Sequence, residues 1–143
     1  MSPLQRPRLI FHGAILLLVG LFCGIPTSVE TIDGAARAWH TAHEALIMMG
    51  VWILAESSVL PALVLGEREG TILVWSLIAM GYSFATALVI GGAEGTTVFS
   101  PGGTPLTFAA FIAATFGIFC AFLAASLTLM GAQAAVVSAR PKT

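Results

Sequence analysis

Four apolar runs, near residues 9–25, 38–65, 71–90 and 106–137, constrain this 143-residue chain more than any other feature. Each approaches or exceeds the length of about 20 residues that a helix needs to cross hydrocarbon. Inside a bilayer every backbone N–H and C=O must find its partner within the chain, so such runs fold as helices rather than as open sheet. The breaks between them carry turn chemistry. They are Pro26-Thr27-Ser28, then Gly66-Glu67-Arg68-Glu69-Gly70, then Gly91-Gly92 through Ser100-Pro101-Gly102-Gly103 to Pro105. The predicted fold class is all-α: an integral membrane bundle of four transmembrane helices in one domain, 1–143, with helices near 9–25, 36–65, 71–90 and 106–137.

Composition agrees with a lipid-solvated chain. Hydrophobic residues make up 57% of it and charged residues 9%, against about 25% charged in soluble domains. A net charge of −1 offers no basic surface, which excludes nucleic acid as a partner. Cys23 and Cys120 both sit in apolar runs without metal-ligand spacing, so neither a disulfide nor a zinc site is expected. The first run follows Arg6 and Arg8 as a signal peptide would. It is long for such a segment and lacks a clear A-x-A site, so it reads as a retained helix.

Lys and Arg collect in the cytoplasmic loops of membrane proteins. Placing both termini in the cytoplasm puts Arg6, Arg8, Arg68, Arg140 and Lys142 on that side and leaves only Arg37 outside. The start of the second helix then lies near the outer end of the bundle, in a bacterial-type inner membrane. Pro61 predicts a kink in that helix, with Ser57 and Ser58 placed to satisfy the freed carbonyl. In the fourth helix Ala109, Ala113, Gly117, Ala121 and Ala125 form a small-residue ladder suited to close helix packing.

The candidate chemistry sits at 37–50, RAWHTAHEALIMMG. Ionisable side chains within membrane helices are costly and mark bundle interiors or bound groups. Spacings of three and four put Arg37, His40 and Glu44 on one helical face, with His43 about 60° away. Such a face suits an axial haem ligand: His40 to iron, Glu44 to the other imidazole N–H, Arg37 to a propionate. The same residues also fit a purely structural arrangement, with Glu44 paired to Arg37 or His40 and the histidines bonded across the bundle. His40 and His43 without a third or fourth ligand do not make a zinc site. His12 is placed at the cytoplasmic end, most of a bilayer thickness from His40, as an interfacial or packing residue. Glu56, deeper in the second helix, is matched to Ser83, Thr86 or a neighbouring subunit. Tyr82 is the only tyrosine, its hydroxyl either structurally satisfied or a substrate-orienting donor.

Taken in order, His12-Gly13, Ala36-Arg37-Ala38, His40-Thr41-Ala42, Met48-Met49, Val59-Leu60-Pro61 and Gly81-Tyr82-Ser83 give the chain a wider likeness. It resembles the styrene oxide isomerases, small bacterial membrane proteins with four transmembrane helices that bind haem b and assemble as trimers. The resemblance covers most of the chain. It implies that His40 is the axial ligand and that the opposite iron face is open. It also implies that ferric iron acts as a Lewis acid on an epoxide oxygen, with a 1,2-hydride shift yielding an aldehyde. Apolar walls then exclude the water that would give a diol. Two positions depart from the family pattern. The chain has no asparagine, Leu46 standing at the family's asparagine place, and Leu88 stands at its tyrosine place, about a turn and a half after Tyr82.

The expected function is therefore a haem b-dependent isomerase acting on a small apolar epoxide in the lipid bilayer, as a homo-oligomer. Its metal ligand is His40, its cofactor contacts are Arg37 and His43, and its candidate catalytic groups are Glu44 and Tyr82. The alternatives from other classes are a haem-binding or electron-transfer membrane protein closed by a second axial ligand, or a haem-free helical scaffold.

Overall fold

A computed structural model describes residues 4–29 and 33–140. The elements are α1 (Gln5–Cys23), a short α2 (Ile25–Val29), α3 (Asp33–Val59), a 3-10 turn (Leu60–Ala62), α4 (Glu67–Glu94) and α5 (Pro105–Ser138). The described residues contain no strand, and four helices are long and apolar enough to cross a membrane. Lys142 lies outside the described residues.

The helix ends follow local chemistry. Thr104 caps α5 by accepting the Thr107 N–H at 3.2 Å, with Pro105 at the first helical position, where its missing N–H costs nothing. Gly95 closes α4 in the left-handed region (φ 63°), and the Thr96 N–H returns to the Gly91 carbonyl at 3.0 Å. The 66–70 segment, read from sequence as a break, is instead the start of α4. Glu67 and Glu69 lie in its first turn, where carboxylates suit the helix dipole. Residues 26–28, also read as loop, belong to α2.

At Pro61 the helix does not bend and continue. It tightens into the 3-10 turn and leaves at Leu63 in extended conformation. Ser57 and Ser58 both donate to the Leu54 carbonyl, at 2.6 and 3.3 Å, so neither reaches the carbonyl that Pro61 frees. The extended exit segment docks on α5 through Val64 N–H to the Gly131 carbonyl, 3.1 Å.

Helix α4 is the centre of the bundle. It packs against α5 on one side and against α3 and α1 on the other, while α5 scarcely approaches α3. Helices α1 and α3 run antiparallel at close range, because Gly13, Gly20 and Gly50 bring backbone to backbone. The buried stripe of α5 is Thr107, Ala110, Ala114, Gly117, Cys120, Ala124, Leu127 and Gly131. Of the predicted ladder only Gly117 is buried; Ala113 and Ala121 are half-buried, Ala109 and Ala125 exposed. A strict four-residue step drifts about 40° per turn on a 3.6-residue helix, so it winds off the contact face.

Candidate functional site

The end of the bundle where α3 begins and α4 finishes holds a cavity of about 490 Å³. Its lining comes from α3 (Arg37, Ala38, Thr41), α4 (Leu88, Gly91) and the following loop (Thr96, Val98, Phe99). Arg37 and Thr41 share a face of α3 four residues apart, and the Thr41 hydroxyl donates to the Arg37 carbonyl at 3.1 Å. The loop is pinned by buried Val98, which lies against Gly91 where a Cβ would collide with it at 2.5 Å. The cavity is thus apolar along α4 and at Val98 and Phe99, with Thr96 and Thr97 on the loop side and a cation and a hydroxyl on the α3 side.

His40 lies on the adjoining face of α3 and points away from its own bundle. Its side chain is 60% exposed and its Nδ1 lies 3.4 Å from Glu44 Oε2, also exposed. Nε2 has no partner among the described residues. The Glu44 contact is an ion-pair approach rather than a hydrogen bond; it sets a carboxylate beside Nδ1 and leaves Nε2 to coordinate. His43 faces another way. Its Nδ1 is 2.8 Å from the Gly20 carbonyl, and the ring fills the space over Gly24, where a Cβ would come within 2.7 Å of it. That imidazole fixes how α3 is rotated against α1.

Tyr82 does not line the cavity. Its hydroxyl is 2.9 Å from His12 Nδ1 on α1, with the two rings edge to face at 5.5 Å. His12 sits eight residues from Gly20, which opposes His43, and His40 lies three residues further along α3, so His12 is roughly 17 Å from His40 along the axis, about half of the hydrocarbon thickness rather than most of it. Glu56 is buried and held by α5 rather than by α4: Trp52 Nε1 donates to Oε1 and Thr128 Oγ1 to Oε2, each at 3.2 Å. Ser83 and Thr86 are not its partners. Of the two leucines at the family's polar places, Leu88 lines the cavity and Leu46 is fully buried within the bundle.

The donor set suits a haem held by one imidazole. One histidine offers a free nitrogen backed by a carboxylate, a cationic Arg37 stands one turn nearer the helix start, and the other two histidines hold protein partners. No group of three or more His, Cys, Asp or Glu fit to hold a bare metal ion occurs among the described residues. Sequence reading missed Thr41 and the 96–99 loop as parts of the cavity, whereas Leu88 was already singled out as standing at the family's tyrosine place. Thr41 was open to discovery as the i+4 neighbour of Arg37, whereas the loop is brought over the cavity only by tertiary structure.

No curated protein matches the chain, and no solved structure does. The family model for styrene oxide isomerase matches residues 5–136, nearly the whole length and every element that builds the cavity. The chain belongs to the styrene oxide isomerase family.

Proposed function

We propose that the protein isomerises a small aryl epoxide to an aldehyde with a haem b held by His40. The observation that carries the reading is the outward-facing His40–Glu44 pair beside the 490 Å³ cavity, in a chain of this family. When bound, the haem supplies a Lewis-acidic iron that polarises the epoxide oxygen without net redox change. Glu44 holds the His40 ring by Nδ1 and strengthens Nε2 as a ligand. Arg37 is suited to a propionate by a charge-assisted bond. Leu88, Val98 and Phe99 offer an apolar wall to the aryl ring and keep out the water that would divert the opened epoxide to a diol. Hydride migration between adjacent carbons conserves atoms and electrons, so no second substrate is required. Tyr82 has no role in this scheme, because His12 takes its hydroxyl.

We assign the protein to a bacterial cytoplasmic membrane, as a homo-oligomer. Support comes from the exposed polar stripe Arg37, His40, Thr41 and Glu44 on a membrane-length helix, which lipid tails would not cover cheaply. A trimer is the family's form.

Purified protein is expected to show a Soret band that His40→Ala removes, and to convert styrene oxide to phenylacetaldehyde with a deuterium on the migrating position retained. A His40→Ala variant with an unchanged band sinks the ligand assignment. A haem-loaded sample that yields only diol, or nothing, sinks the reaction.

A further inference from the structure

Because α5 rests on α4 and scarcely touches α3, a second recess lies between α3 and α5, floored by α4. Its volume is about 220 Å³, and its lining is wholly apolar: Trp52 from α3, Phe84 from α4, and Ile118, Ala121, Phe122 and Ala125 from α5. The recess is open on its outer side, where Phe122 is 72% exposed; its volume exceeds the about 150 Å³ of an enclosed apolar cavity that takes up benzene, so it has room for one aromatic ring. Each of the three helices contributes one aromatic side chain, an arrangement that favours offset and edge-to-face contacts with a guest ring.

The recess is bounded at one end. One turn beyond Trp52, the buried Glu56 carboxylate ties Trp52 to Thr128 and so bridges α3 to α5. A lipid tail lying along the groove meets that bridge, while a compact ring fits short of it. In the other direction Phe84 is followed one turn later, about 6 Å along α4, by Leu88 of the larger cavity.

We propose that this recess is a binding site for a single benzene-sized aromatic ring drawn from the bilayer, on the path to the larger cavity. Its place on a substrate path rests on the aryl-epoxide reading; the binding itself does not. The bridge through Glu56 then sets the depth at which the ring stops.

The test is photolabelling of the full chain, as purified and returned to lipid nanodiscs, with trifluoromethyl phenyl diazirine. Labelling of Phe84 is expected to saturate with probe, as is a part of the labelling at the more exposed Ile118 and Phe122, and this saturable part should fall about tenfold under toluene at about ten times its dissociation constant. Labelling of Phe108 and Phe119, exposed elsewhere on α5, should rise linearly and ignore toluene. Ala125→Phe fills the recess and should abolish only the saturable part, with unchanged labelling at Phe108 and Phe119 reporting that α5 is still folded. Linear, toluene-insensitive labelling at Phe84, Ile118 and Phe122 overturns the proposal and leaves lipid tails as the occupant. Saturable labelling without epoxide turnover keeps the site and removes only the reaction.

Discussion

The contact between α1 and α3 makes Gly50→Ala the sharpest test of how the helix that bears His40 is held. A Cβ at Gly50 would lie 2.7 Å from Leu17 Cγ and 2.9 Å from both the Gly13 carbonyl oxygen and the Leu17 nitrogen. Carbon atoms rest at about 3.5–4.0 Å, and two of the three obstacles are backbone, which no rotamer change removes. The helices must therefore separate by several tenths of an ångström along a contact that continues to Gly20, where a Cβ would meet the Ile47 nitrogen at 2.9 Å. Overpacking of this kind costs about 1–3 kcal/mol, which raises the unfolding equilibrium constant about five- to 150-fold. Unfolding in mixed micelles by SDS, followed by tryptophan emission, reads this directly. Gly102→Ala is the paired control, since its Cβ meets nothing nearer than Ser100 Oγ at 3.8 Å. Separation should also loosen His43 from the Gly20 carbonyl and reduce haem loading in step with stability. Equal unfolding midpoints for Gly50→Ala and the unaltered protein would refute the close approach on which the argument stands.

Two further substitutions probe the polar contacts between helices, by the same SDS titration. Glu56→Gln keeps an acceptor for Trp52 and a group able to bond Thr128, and should change stability by less than about 0.5 kcal/mol. Glu56→Leu orphans the Trp52 N–H; interhelical hydrogen bonds in membranes average about 0.6 kcal/mol and reach about 1.7, so a loss of about 1 kcal/mol is expected, and none would show that the bridge does not form. Tyr82→Phe removes one bond to His12 and should cost about 0.6 kcal/mol. It should leave haem content and turnover intact, and a large loss of turnover would return Tyr82 to the chemistry.

The four spans were legible because hydrocarbon demands a run of apolar residues whatever packs beside it, and such runs survive any choice of neighbours. Helix ends were less so. The 66–70 segment carries glycines and charges that serve equally as a turn and as the first turn of a helix, and Glu67 and Glu69 tip it to the latter. Angular arithmetic placed His40 and Glu44 on one face, where they meet. It could not say which helix faces Glu56, which was matched to Ser83 and Thr86 on the third span; the helix there is α5, through Thr128. The cavity was illegible for the same reason: Arg37, Leu88 and Phe99 are far apart in sequence and meet only because α4 ends level with the start of α3. The family likeness singled out His40 as the expected ligand without any of this, whereas the outward aim of its ring emerges only from the packed helices.

The imidazole of His43 over Gly24 carries a consequence for variation of this sequence. The notch admits a flat ring only because position 24 has no side chain, and the ring's bond to the Gly20 carbonyl indexes the whole helix that bears His40. Positions 24 and 43 therefore form a joint constraint: a bulkier residue at one is tolerated only with a smaller one at the other. In a randomised library the two should be inherited together, and a mismatched combination should be lost even though neither position touches the cavity.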